Sequence, residues 1–195
     1  MGLVIEKLLR GTELNDAERD VCLRGIAQMA MADGVEDPRE RAYLEQFVDE
    51  FFPETDPTDE AFNAPVTKED LDKLSSTEAK QCFLGYAYIT AYVDEEFVKA
   101  EKDLLTQWAD HLVPAVARDE IATSVREFLY RRSVFAYAFR LGRLDEEFAV
   151  LAAQRFDVEI ERAKELNASV FNAIMSLKNP GKAENEPTED QPAEG

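Results

Sequence analysis

The chain has 195 residues, of which 41 are acidic and 22 basic, so its formal net charge is −19. With 45% hydrophobic and 32% charged residues it has the composition of a folded protein, and its length suits one ordinary domain or two small ones. A surface this acidic repels phosphate backbones and anionic lipids, so the charge argues against nucleic-acid and peripheral-membrane binding and favours cations and basic partners.

The predicted elements follow residues 1–14, which we treat as an N-terminal lead. Residues 15–18, Asn-Asp-Ala-Glu, have the sequence of a capping box and predict a helix that ends at the Asp-Gly turn 33–34. Residues 37–40, Asp-Pro-Arg-Glu, supply an N-cap, a proline and a carboxylate for the next helix. The acidic, proline-spaced segment 53–67 lacks hydrophobic periodicity and is expected to be an inserted loop.

The second half of the chain shows further helical periodicity and no β pattern. Ser75 with Glu78 predicts the cap of a long helix. Other helices are expected near 68–74, after the acids 94–96 through Leu112, over 119–141, from Asp145 to about 156 and from Asp157 to about 177. We therefore predict an all-α fold, a compact bundle of about seven helices in one domain over 15–177, followed by a disordered acidic tail over 178–195.

An internal repeat relates two helix–turn–helix segments at an offset of 61 residues. The segment MADGVEDPRERAYLEQF, which ends at Phe47, aligns with YVDEEFVKAEKDLLTQW, which ends at Trp108. In each copy an aspartate closes the first helix and a glutamate seven residues later opens the second. These acidic residues are Asp33 and Glu40 in the first copy, and Asp94 and Glu101 in the second.

The repeated carboxylates have two explanations. A short turn can bring both carboxylates of one copy toward one point, and two packed copies would bring together four. Oxygen-rich clusters bind hard cations, so Asp33, Glu40, Asp94 and Glu101 are candidate ligands for calcium, magnesium or manganese. The alternative is structural, since Asp-Gly forms turns and a glutamate at the third helical position caps a helix. The sequence leaves both explanations open.

Residues suited to catalysis are scarce. The chain has one histidine, His111, and two isolated cysteines, Cys22 and Cys82, which we expect to be buried as small apolar residues. It lacks a phosphate-binding glycine loop, a nucleophile elbow and a Cys-x-x-Cys pair. We therefore expect no catalytic residues, no bound organic cofactor and no enzymatic activity. No apolar run could span a bilayer and no secretory signal is recognisable, so we expect a cytoplasmic protein.

The sequence resembles the tellurite-resistance TerB family. The resemblance lies in a helix ending in Ala-x-Ala-Asp-Gly at 30–34, a glutamate seven residues after the aspartate, and the second Asp…Glu pair. It covers about residues 18–156, and the second copy departs from it at 94–95, where Asp-Glu replaces Asp-Gly. It implies a seven-helix bundle with an acidic face, ion binding, and a role in tellurite and chemical stress within a larger complex near the membrane. The competing interpretation is a metal-free adaptor whose acidic face binds a basic protein partner.

Overall fold

The computed structural model describes residues 4–32, 34, 38–53, 64–92 and 98–178, with the side chains of 38–44, 115–116 and 178 outside that description. These ranges contain nine α-helices and no β-strand, which confirms the predicted all-α class. The predicted loop 53–67 and tail 178–195 lie mostly outside them. The helices are α1 (Ile5–Gly11), α2 (Asp16–Ala30), α3 (Pro38–Phe51), α4 (Lys68–Leu71), α5 (Thr77–Ala91), α6 (Lys99–Leu112), α7 (Ala115–Leu141), α8 (Glu146–Arg155) and α9 (Ile160–Lys178).

Helix α2 begins where the sequence predicted. The side chain of Asn15 accepts a hydrogen bond from the Glu18 amide at 3.1 Å, and the Glu18 carboxylate accepts one from the Asn15 amide at 3.0 Å. This reciprocal pair satisfies two of the free N–H groups at the start of the helix. The predicted capping box is therefore confirmed.

The cap of α5 differs from the prediction by one residue. Ser76, not Ser75, is the N-cap, and its side chain accepts a hydrogen bond from the Ala79 amide at 2.9 Å. The Ser75 hydroxyl is engaged elsewhere, because it donates to Glu18 at 2.8 Å. The prediction for Ser75 was wrong because its partner lies 57 residues away in the chain, beyond the reach of a local motif.

The two ends of the helical region also differ from expectation. Residues expected to be a lead contain α1, whose Ile5 and Leu9 are buried. The last helix begins at Ile160 rather than at Asp157. Asp157 has φ of 49°, a left-handed conformation that an α-helix cannot include. Helix α1 adds an element to those predicted, whereas the later start of the last helix leaves the number of helices unchanged.

The chain divides into two units, Met1–Leu129 and Tyr130–Gly195. In the first unit α2 packs against α5, where Gly25 leaves room for the Phe83 ring. The Phe83 ring meets the buried Trp108 ring edge-on, with centroids 5.1 Å apart. Helix α1 also packs against α5, at Gly85. Helix α5 is therefore the central element of this unit, and 11 of its 15 residues are buried.

The helix limits in the first unit follow the sequence repeat. An offset of 61 residues converts Asp16–Ala30 into Thr77–Ala91, and Pro38–Phe51 into Lys99–Leu112. The equivalent residues Phe47 and Trp108 are both buried. The two copies therefore form helix pairs of identical length, and one contributes α2 and α3 while the other contributes α5 and α6.

The second unit contains α8 packed on α9. Small residues on α8 are buried, and Tyr137 stacks on Phe148 with ring centroids 3.9 Å apart. The Tyr130 hydroxyl donates a hydrogen bond to Asn167 Oδ1 at 2.6 Å. Large apolar side chains nevertheless stay exposed on this unit, Phe139 and Leu151 among them. Within the described ranges, none of the helices is both long enough and apolar enough to cross a bilayer.

Candidate functional site

Of the four predicted metal ligands, the structure describes the side chain of Glu101 alone. Asp33 and Asp94 lie outside the described residues, as does the side chain of Glu40. Glu101 is the third residue of α6 and is 6% exposed. Its Oε2 accepts a hydrogen bond from the Val98 amide at 2.8 Å, which is a helix-capping contact. Glu101 therefore makes the helix-capping contact that the structural explanation predicted for it.

The described residues do not assemble a metal-ligand cluster. No group of three or more histidine, cysteine, aspartate or glutamate side chains converges among them. The convergence of Asp33, Glu40, Asp94 and Glu101 stays a prediction, because three of these four side chains fall outside the described part of the chain.

A cavity of about 390 Å³ lies between the end of α2 and the start of α6. Its apolar lining comes from Ala27, Met31, Ala32, Pro65, Ala100 and Leu104. Ala32 immediately precedes Asp33, and Ala100 immediately precedes Glu101. The structure therefore brings the end of the first helix of one repeat beside the start of the second helix of the other.

The cavity lining includes one polar side chain, Gln28, whose carbonyl oxygen already accepts a hydrogen bond. Gln28 Oε1 accepts a hydrogen bond from the Val66 amide at 2.8 Å, and this contact holds the segment around Pro65 against α2. The other lining side chains are apolar, and polar atoms share the surface of the cavity with them. Burying these apolar side chains against an apolar group of a partner would be favourable.

An ionic network fixes the same segment from the other side. Arg24, only 7% exposed, binds Asp70 at 2.8 Å and Asp20 at 3.0 Å. Its guanidinium also donates to the Pro65 carbonyl oxygen at 3.4 Å. Lys73 adds a second cation on Asp70 at 2.7 Å. The hydrogen bond from Arg24 holds the pKa of Asp70 well below its ordinary value, so this carboxylate stays ionised at neutral pH.

The network around Arg24 was absent from the sequence prediction. Two local signals for it exist, since Asp20 and Arg24 are one helical turn apart and Thr67 with Asp70 forms a capping box. The decisive contact joins Arg24 to Asp70, 46 residues along the chain. Its effect on the site is positional, because it holds the Pro65 wall of the cavity in place.

Charge is distributed unevenly along the chain. Residues 1–129 contain 29 acidic and 13 basic residues, whereas residues 130–195 contain 12 acidic and 9 basic ones. Three sequence segments continue from the cavity lining or lie close to it in the chain, namely 33–37, 54–63 and 93–97. Together they carry ten acidic residues and no basic one. The cavity therefore belongs to the strongly acidic unit, and the sequence segments nearest to its lining residues along the chain carry acidic residues without basic ones.

A second cavity, of about 380 Å³, lies beside α1 and the end of α3. Arg10, paired with Glu50, lies over the Phe51 ring at 5.2 Å from its centroid. Arg19 lies 5.9 Å from the centroid of Phe52. These contacts use the guanidinium groups to cover aromatic rings, which is an ordinary stabilising arrangement.

The remaining candidate groups are the two cysteines and the histidine, and each makes contacts of a structural kind. Cys22 and Cys82 are both buried, as predicted. Burial raises the pKa of the Cys82 thiol to about 11 and that of Cys22 well above its ordinary value, so neither forms the reactive thiolate at neutral pH. His111 lies in the last turn of α6, where its Nε2 is 2.9 Å from Asp72 Oδ1.

The site that emerges is an apolar cavity at the junction of the two repeats, in the acidic unit of the chain. Comparison of the chain with protein-family models, with curated proteins and with solved structures gives no match, and the resemblance to the TerB family stays a prediction from the sequence.

Proposed function

We propose that the chain is a non-enzymatic interaction module whose N-terminal unit binds a basic protein segment. The observation that carries this proposal is the segregation of charge, with 29 acidic against 13 basic residues in the unit that holds the cavity at the repeat junction. A field of this sign attracts lysine- and arginine-rich partners and accelerates their association.

The test measures salt-dependent binding of a basic probe. A fluorescein-labelled peptide of lysine, glycine and serine, with net charge of about +6, is titrated with the full chain and followed by anisotropy. Binding should weaken steeply as NaCl rises, because exposed charges are screened over about 10 Å at 0.1 M ionic strength. A matched peptide with glutamate in place of lysine serves as the control. Absence of salt-sensitive binding of the lysine peptide would overturn the proposal.

A divalent-cation site is the second candidate function. It is supported by the helix limits of the two copies, because the 61-residue offset places Glu40 and Glu101 at the same third position of α3 and α6. With Asp33 and Asp94 the site would be all-oxygen, as calcium, magnesium and manganese prefer. The TerB resemblance adds a role in tellurite and chemical stress, within a membrane-associated complex.

The cation proposal has its own thermodynamic test. A cation bound only by the folded chain raises stability by RT ln(1 + [L]/Kd), about 2.7 kcal/mol at a hundredfold excess over Kd. Melting temperatures are compared in chelator and in millimolar calcium, magnesium or manganese, for the wild type and for Asp33→Asn. The wild type should gain more than the variant with at least one cation. Equal gains for the two proteins with all three cations would refute the site.

A further inference from the structure

We infer that the apolar cavity at the repeat junction receives a large aliphatic or methionine side chain of the basic partner. This inference rests on the proposed function and adds to it the second half of the recognition chemistry. The partner would then be a basic segment that carries an apolar anchor, rather than any basic sequence.

The shape and chemistry of the cavity support an apolar anchor. At about 390 Å³ it lies near the lower end of the range in which proteins hold small groups, roughly 300–1,000 Å³. Ala27, Ala32 and Ala100 leave its walls open, because an alanine side chain ends at Cβ. Met31 is 48% exposed beside them, and methionine adapts its shape to irregular apolar partners. An aliphatic side chain inserted here would cover apolar surface that water now contacts.

The rigidity of the walls supports a preformed pocket. The Pro65 wall is held to α2 by the Gln28–Val66 hydrogen bond and by Arg24, which reaches the Pro65 carbonyl oxygen. The opposite wall belongs to the first turn of α6, where the buried Glu101 accepts the Val98 amide hydrogen. A site whose walls are fixed before binding spends less free energy on ordering when a partner arrives.

The negative charge of this unit favours a basic partner segment over an acidic or neutral one. The unit that holds the cavity contains 29 acidic and 13 basic residues. An anchor flanked by lysine or arginine therefore gains long-range attraction that an acidic or neutral segment lacks. A second copy of the chain is a poorer occupant, because each copy carries a net charge of −19.

The experiment varies the anchor and the pocket separately. Four fluorescein-labelled peptides share one lysine-rich sequence and differ at a single central position, which is leucine, methionine, phenylalanine or serine. Their dissociation constants are measured by anisotropy at 50 and 150 mM NaCl. We expect the leucine and methionine peptides to bind about tenfold more tightly than the serine peptide. Burying one such apolar side chain gives a free-energy gain large enough for a tenfold change in the dissociation constant.

Two cavity variants test where the anchor binds. Ala100→Trp fills the cavity from an exposed position on α6, and Met31→Gln replaces an exposed apolar wall. Each should lower the leucine-to-serine affinity ratio toward one and leave the serine peptide's affinity unchanged. Ala168→Trp, at an exposed position of α9, is the matched control and should keep the ratio. Circular dichroism establishes that each variant is folded, and Met31→Gln carries the test if Ala100→Trp is not.

The outcomes separate the two proposals. If the leucine and serine peptides bind the wild type equally, the anchor inference is wrong and the proposed function stands. If the ratio survives both cavity variants, the anchor binds elsewhere and the inference is again wrong. If no lysine-rich peptide binds in a salt-sensitive way, the proposed function itself fails.

Discussion

At the scale of single residues, the first unit depends on one nearly buried cation. Arg24 is surrounded by the carboxylates of Asp20 and Asp70 and by the Pro65 carbonyl oxygen. Burying the ionised Arg24 and Asp70 costs desolvation free energy that their contacts offset. Removing Arg24 therefore leaves the nearly buried Asp70 with only the half-exposed Lys73 as a cationic partner, which is more damaging than the loss of a surface ion pair.

Arg24→Met should destabilise the chain by about 3–5 kcal/mol, because Asp70 would keep its charge in a nearly buried position without its main partner. Lys164→Met removes an exposed partner of Glu161 and should change the free energy of unfolding by less than about 0.5 kcal/mol. Urea denaturation followed by circular dichroism measures both. Similar losses for the two variants would contradict the role given to Arg24.

Acid should remove the contribution of Asp70. Its pKa is lowered by the hydrogen bond from Arg24, so the folded state binds a proton less readily than the unfolded state. The resulting stability is fully present above the unfolded pKa of about 3.9 and is lost as pH falls toward the folded pKa. The gap in unfolding free energy between wild type and Asp70→Asn should therefore shrink from about pH 5 to pH 2. The gap for exposed Glu161→Gln should stay small throughout, and a constant Asp70 gap would contradict the assignment.

Glu18 shows how far single residues could be predicted. Its role in the capping box with Asn15 follows from four consecutive residues, and the sequence revealed it. Its contacts with the Ser75 amide and hydroxyl join positions 57 residues apart, and no local pattern encodes them. Burial raises the pKa of Glu18, but the hydrogen bonds from Ser75 and Asn15 outweigh it and the net shift is downward. The same carboxylate thus performs one predictable role and one that depends on tertiary structure.

At the scale of elements, the 61-residue repeat predicted more of the structure than any other sequence feature. The limits of α2 and α3 recur in α5 and α6 at both ends, and the N-caps Asn15 and Ser76 are equivalent. Helix α1 escaped prediction because it has seven residues and no side-chain cap, although Ile5 and Leu9 lie one helical turn apart. The cavity at the repeat junction was not predicted for another reason, since it depends on how α2 and α6 are placed beside each other in the folded unit.

Two glycines in central helices should respond differently to alanine. In an open helix interior, Gly→Ala stabilises by about 1 kcal/mol. A Cβ at Gly25 would lie 2.5 Å from Phe83 Cε2 on a ring that packing holds, so Gly25→Ala should instead destabilise by about 1–3 kcal/mol. A Cβ at Gly85 would lie 2.7 Å from the terminal methyl of Ile5, which can rotate away, so Gly85→Ala should stay within about 1 kcal/mol of wild type. Thermal melts compare them, and a stabilised Gly25→Ala would contradict the packing of α2 on α5.

At the scale of the whole molecule, charge is divided between the two units. Residues 1–129 have a formal charge of −16, from 29 acidic and 13 basic residues, whereas residues 130–195 have −3, from 12 and 9. The composition gives the net charge of the whole chain. The division of that charge between the units depends on the boundary at Leu129, which comes from the structure. Like charges repel one another in a folded unit more than in an expanded chain, so the first unit carries a much larger electrostatic cost than the second.

Added salt should therefore stabilise the first unit more than the second. Screening shortens the range of repulsion from about 30 Å at 0.01 M to about 8 Å at 0.15 M ionic strength. Amide hydrogen exchange, read by mass spectrometry, should slow severalfold in peptides from 5–129 on raising NaCl and change little in peptides from 130–178. Equal slowing in both units would contradict the charge argument. Calcium chloride at the same ionic strength separates screening from ion binding: equal protection by the two salts means screening alone, whereas additional protection by calcium around 30–40 and 91–101 would favour the carboxylate site.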